Sequence, residues 1–263
     1  MVRLGGSATQ SHFDVFQGLE TIFRRRGIDL DWVLYSDYDA MVDAFVNGDI
    51  DLAWNGPLGY VKIRRLLDDP CRVIAMRDVD VGFVTHLIAG ADSDIVTVED
   101  LIGKRFAFGR RGSEQAGLVP YHMIKEAGLN PPNDLAVVSF YEDRNSQTAS
   151  DERDVVERVY SGEFDAGAVS RRTLETMAED GSDAVNNVRA FWSSPPYSHC
   201  CFTAQGDIDQ NLFDQIETTF LSITGRDEVE QIVLKGEACD SFVPGIQHGW
   251  DLIETAAVHE GLV

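Results

Sequence analysis

The chain has 263 residues, 44% of them hydrophobic, and a formal net charge of -22. That length accommodates one large domain or two lobes, each with a packed core, and no apolar run approaches the ~20 residues needed to span a bilayer. Such a charge argues against nucleic acid as a partner, because a phosphate backbone requires a basic face. The lysines are Lys62, Lys104, Lys125 and Lys235; arginine supplies the other positive charge. An Asp-rich, Lys-poor chain fits a high-salt habitat or a GC-rich genome equally, and bears on solubility rather than fold. The N-terminus has no apolar h-region, so the reading is a cytosolic protein or one whose leader is not part of this sequence. Localisation stays open between them. Cys71, Cys200, Cys201 and Cys239 show no CxxC spacing and read as buried, inert thiols.

In chain order, strands alternate with helices. Residues 2–4 read as a strand, followed by the small-residue loop Gly5-Gly6-Ser7-Ala8-Thr9. A helix over 13–25 carries the stripe Phe13, Phe16, Leu19 and Phe23, predicted as core. A strand at 31–34 leads to a helix at 39–46, which ends at Asn47-Gly48, since Gly accepts the left-handed conformation of a helix C-terminus. The strand at 50–54 stops at Asn55-Gly56-Pro57, and Pro57 suits the first turn of the next helix, 58–67. A strand at 72–76 completes a βαβαβ order, which predicts a largely parallel sheet with ligand-facing loops at strand C-termini.

From 81 to 89 the chain turns extended, and a crossover between lobes is predicted there. A short helix at 98–103, a strand at 105–108 and a turn at 109–112 precede Ser113, the predicted cap of a helix reaching about Ala127, with Pro120 tolerated or kinking it. Strands at 136–140 and 164–169 flank a helix at 151–160. A strand at 188–192 leads to a second crossover at 193–197, and the tail is read as helices at 210–223, 227–234 and 251–260. Two such α/β lobes joined by two strands would form a hinged clamp for a small molecule.

Tyr38-Asp39-Ala40, the run Gly48 to Pro57 and Tyr60-Val61 resemble the phosphate/phosphite/phosphonate-type solute-binding proteins of ABC transporters. So do Lys104 to Gly109 with Gly112-Ser113 and Val119-Pro120, Gly162 to Val169, and Trp192 to Tyr197. The resemblance implies a two-lobe, type II periplasmic-binding-protein-like fold with two interlobe crossover strands, lobe 1 from 1–82 and 193–263 and lobe 2 from 83–192. It implies a solute-binding protein that closes over a small polar ligand, an oxyanion such as a phosphonate or phosphite, with an ABC transporter permease as partner. Carried onto this chain, the ligand contacts are Ser7, Thr9, Tyr38, Trp54, Asn55, Gly56, Pro57, Ser113, Glu114, Gln115, Asp165 and Tyr197. A helix N-terminus with a hydroxyl cap is a ready anion site. Glu114 departs from the family pattern: turned inward, it would favour a neutral or cationic ligand. Arg77, Arg110, Arg111 and Arg144 are the candidate anion partners.

The alternative is a cytosolic enzyme on the same fold, dehydratase-like or resembling the thiamine-pyrimidine synthases. Its support is Ser198-His199-Cys200-Cys201-Phe202, where His199 and Cys200 could activate a nucleophile or hold a metal, with His86 as a further candidate. The bland reading of the same run is a strand with buried thiols. His12, His122, His248 and His259 show no ligand spacing, so no metal site is expected. Gly109-Arg110-Arg111-Gly112-Ser113 lacks the Gly-Lys-Ser/Thr ending of a P-loop, and no nucleotide cofactor is expected.

Overall fold

A computed structural model describes residues 1–67, 70–146 and 148–263. The first strand, β1 (Val2–Ser7), runs through Gly5-Gly6-Ser7 instead of stopping before them. These glycines serve close packing, not a turn: a Cβ on Gly5 would lie 2.4 Å from Ile50 Cδ1, and one on Gly6 2.5 Å from the Phe16 ring. Helix α1 (Gln10–Arg25) follows, then β2 (Leu30–Tyr35), α2 (Tyr38–Val46), β3 (Leu52–Asn55), α3 (Pro57–Leu66) and β4 (Arg72–Arg77).

Next come β5 (Thr85–Gly90) and β6 (Arg105–Ala107), where the expected long helix after Ser113 is broken into a π-helical turn, Glu114–Leu118, and α4 (Val119–Glu126). Pro120 explains the break, because it has no N–H to donate to Ala116. The Ala116 carbonyl accepts from the Gly109 amide instead, at 2.8 Å, which ties the turn to the loop after β6. Then follow α5 (Pro131–Asp134), β7 (Val137–Ser139), α6 (Asp151–Tyr160), β8 (Ala166–Ser170), α7 (Arg171–Glu179), α8 (Asp183–Asn186) and β9 (Val188–Ser193). The last stretch comprises β10 (Cys201–Ala204), α9 (Gln210–Leu221), α10 (Glu228–Gly236), β11 (Phe242–Pro244) and α11 (Asp251–His259). Helices α9, α10 and α11 fall where the tail helices were expected, β10 overlaps the run whose bland reading was a strand, and β11 lies between two expected helices.

Cα packing divides the chain into two units: Met1–Gly82 with Ser198–Asp251, and Phe83–Tyr197 with Leu252–Val263. Residues 193–197 and 252–263, expected in the first lobe, therefore group with the second unit.

The first unit holds a sheet in the order β11-β4-β10-β3-β1-β2. Strands β2, β1 and β3 are parallel, with Ser7 opposite Tyr35 and Gly5 opposite Ala53. Strand β10 is antiparallel to both neighbours and sets Cys201 opposite Asn55. Its core joins Leu4, Phe16, Leu19, Phe23, Leu52, Trp54, Phe202 and Phe220, and each such side chain contributes about 1.5–3 kcal/mol by leaving water. Phe13, expected in that stripe, is 46% exposed and rests edge-on against Trp32.

The second unit holds a sheet in the order β7-β6-β8-β5-β9, with β6 parallel to β7 and β8, and β5 antiparallel to β8 and β9. Leu87, Phe106, Phe108 and Ile124 pack on one side, and Ile88, Val155, Val159 and Val169 on the other. Phe83 and Tyr197, the first and last residues of its main segment, form an antiparallel bridge with amide-to-carbonyl distances of 2.8 and 3.0 Å.

Candidate functional site

In the first unit the register brings Ser7, Tyr35, Asn55 and Arg77, all strand C-termini, to the same sheet edge as Cys201 at the start of β10. Helices α1, α2 and α3 start from that edge. Thr9 caps α1 and Asp37 caps α2 through their side chains, whereas Gly56 at the N-cap of α3 has no side chain to offer. Gly56 thus brings no oxygen of its own to the positive end of α3, and a helix start favours a negative charge. Asn55, 1% exposed, stands beside it. Its amide donates to Thr203 Oγ1 at 2.6 Å, and its Oδ1 has no hydrogen-bond partner among the described residues. Pro57 is the first residue of α3, and Tyr38, the first residue of α2, is 48% exposed.

Ser7 ends β1 with its hydroxyl 3.2 Å from His12 Nδ1, and that nitrogen also lies 2.6 Å from the Ser7 carbonyl. A carbonyl only accepts, so Nδ1 carries the proton. Burial lowers the His12 pKa against the pull of that carbonyl, and Arg77 lowers it further. By its spacing in the sequence His12 is not a ligand candidate. Its one signal was its place three residues after the Thr9 cap.

Trp54, expected at the ligand, belongs to the core: it stacks on Phe202 at 4.2 Å and lies under the Arg77 guanidinium at 5.2 Å. Alternation along β3 sends it away from the side on which Asn55 lies.

Beside this edge sits a buried charge cluster. Arg77 donates to both oxygens of Asp80, at 2.6 and 2.9 Å, and to the Glu237 carbonyl at 2.8 Å. Burial opposes the Asp80 charge, but Arg77 and His199 hold its carboxyl below the usual range. Burial raises the Glu237 carboxyl to about 7, only partly opposed by Arg77. His199 Nδ1 lies 3.1 Å from Asp80 Oδ1 and 3.1 Å from Cys200 Sγ. Thiol and carboxylate approach the same ring nitrogen, so the imidazole does not bridge them as a nucleophile relay requires. Arg77 already takes both Asp80 oxygens.

In the second unit, Ala107, Ser139 and Ser170 end parallel strands at one edge, where Thr85 begins β5 opposite Ser170 and Ser193 ends β9. Ser113 caps the π turn by accepting from the Ala116 amide at 3.2 Å. Gln115 is held from two sides: its Nε2 donates to Glu152 Oε1 at 2.9 Å, and its carbonyl accepts from Thr85 Oγ1 at 2.9 Å. Buried Glu152 also accepts from the Ser170 amide, at 2.5 Å. The Tyr197 hydroxyl donates to Thr85 Oγ1 at 3.0 Å, since the Thr85 proton is used on Gln115. Glu114 is partly buried at the first position of the turn. His86 Nδ1 lies 2.8 Å from Ser193 Oγ.

Asp165 does not join this edge. It precedes β8, at the opposite end of that strand from Ser170, and its carboxylate accepts from the Arg105 amide and guanidinium at 2.7–3.1 Å. A short strand places one end at the loops and the other away from them, so its first neighbour cannot serve both. The arginines expected as anion partners are also paired within the chain: Arg110 with Asp151, Arg111 with Asp143, Arg144 with Asp154 and Arg77 with Asp80.

Comparison with known proteins bears on the family and the fold. The family model described as ABC transporter, phosphonate, periplasmic substrate-binding protein matches residues 14–248. A probable ABC transporter phosphite-binding protein of Prochlorococcus marinus (strain MIT 9301) is 23% identical over 83% of this chain and 72% of its own length. A phosphate-import protein of Mycolicibacterium smegmatis is 23% identical over 84% and 70%. The solved structure of PhnD1 from Prochlorococcus marinus, in complex with methylphosphonate, shares the fold with a TM-score of 0.73 at 20% identity, covering 100% of this chain and 98% of that one.

Proposed function

The chain belongs to the periplasmic substrate-binding proteins of phosphonate ABC transporters, and from that membership we propose that it binds a small phosphorus oxyanion, a phosphonate or phosphite, and hands it to a membrane permease. The observation that carries the ligand class is the start of α3. Gly56 brings no side chain to the N-cap of α3, so the cap adds no oxygen of its own where the helix dipole favours an anion. With Arg77, Arg110, Arg111 and Arg144 paired to carboxylates, each unit by itself offers amide and hydroxyl donors at its strand ends: Ser7, Thr9, Tyr38 and the α3 start in the first, Ser113 and the π turn in the second. Such donors are charge-assisted when they meet an oxyanion, and they form no fixed cationic cage that would favour the most highly charged phosphate species. The phosphite-binding relative and the methylphosphonate complex support the same class.

Calorimetric titration with methylphosphonate, phosphite, phosphate and an alkanesulfonate tests this, with methylphosphonate or phosphite expected to bind tightest. Tyr38→Phe and Ser113→Ala are each expected to weaken that binding roughly tenfold, as loss of one hydrogen bond to a charged group predicts. Absence of binding to every phosphorus oxyanion, or unchanged affinity in both variants, overturns the reading.

A further inference from the structure

Within the second unit, α4 and α11 bring together side chains that lie far apart in the chain. His122 and Glu126 are spaced i, i+4 on α4, which puts both on one face of the helix. His259, the last residue of α11, reaches that face: its Nδ1 lies 3.6 Å from Glu126 Oε1, and its ring centroid 4.9 Å from that of His122. One ligand atom from each of the three lies within 4.8 Å of the others. His122 is 2% exposed, whereas Glu126 and His259 are open to solvent. Next to them, Lys125 Nζ pairs with Glu260 Oε1 at 2.7 Å and fixes the end of α11 to α4 without using any of the three.

We propose that His122, Glu126 and His259 form a Zn2+ site that fastens α11 to α4. Two imidazoles and one carboxylate are a borderline-soft set that suits zinc, with water completing four-coordination. An all-oxygen set would suit calcium or magnesium, and thiolates would suit copper(I). The Glu126–His259 contact already spans the two helices, so a metal at about 2.0–2.2 Å from each ligand needs side-chain rotation rather than helix movement. The Asp80–His199–Cys200 cluster is a weaker candidate, because Arg77 covers both oxygens of Asp80.

The test uses the full chain stripped with a chelator, then dialysed against Zn2+ alone, with Co2+ as a spectroscopic probe. The expected result is one Zn2+ per chain, a rise of several degrees in Tm, and the intense visible absorption of tetrahedral Co2+. Glu126→Gln and His259→Ala alter exposed side chains and should leave the metal-free Tm nearly unchanged while weakening Zn2+ at least tenfold. Cys200→Ser should leave Zn2+ binding intact. Substoichiometric Zn2+ in the native chain, full binding in His259→Ala, or loss in Cys200→Ser overturns the assignment.

Discussion

Glu237 is 1% exposed, its Oε1 has no partner among the described residues, and its Oε2 stands 3.7 Å from Arg77 Nη1. Its carboxyl is raised to about 7 from an ordinary 4.5, so between these values the folded chain keeps a proton that the unfolded chain releases. Stability therefore falls as pH rises through that window and levels off above it, by on the order of 3 kcal/mol at most. Glu237→Gln removes this dependence. Urea unfolding should find it more stable than the native chain near pH 8 and indistinguishable from it near about pH 4. Arg77 is the converse case, because Arg77→Met leaves Asp80, 0% exposed, without its principal partner. A loss of about 3–5 kcal/mol is expected in the same measurement at neutral pH, since an uncompensated charge remains buried. Arg77 stood out in the sequence as a candidate anion partner and Glu237 did not, and their coupling was not legible: positions 77, 80, 199 and 237 meet only through pairing among β4, β10 and β11.

At the scale of elements, the π turn before α4 shows how one proline sets the path of a loop. Pro120 frees the Ala116 carbonyl for the Gly109 amide, and Gly117 then packs where a Cβ would lie 2.4 Å from the Arg110 carbonyl oxygen. Gly117→Ala is expected to cost about 1–3 kcal/mol by overpacking and to weaken oxyanion binding by displacing Ser113. Gly112→Ala adds a Cβ with nothing within 4 Å and should leave both thermal unfolding and titration unchanged. The local signals at this loop, a Ser cap and an early Pro, were readable in order along the chain. The conversion of one helix into two pieces was not, because it depends on which distant amide claims the freed carbonyl. A strand was one of two readings of the run that opens β10, and what decides it is the place of Cys201–Ala204 between β3 and β4.

At the scale of the whole molecule, a net charge of -22 is a standing repulsion within the folded chain. The Debye length falls from about 30 Å at 0.01 M salt to about 3 Å at 1 M, so added NaCl should raise Tm steadily over that range. A flat or falling Tm would show that the surface ion pairs outweigh the repulsion. The sequence by itself determined the α/β alternation, the helix starts at Pro57 and Ser113, the acidity and the family, because each rests on neighbouring residues or on composition. Only the tertiary structure decided which groups share an edge. It sent Trp54 into the core, closed Asp165 onto Arg105, and joined His122 to His259 across more than half the chain. Those outcomes follow from strand register and helix packing, and register is a property of two segments at once, which no single segment encodes.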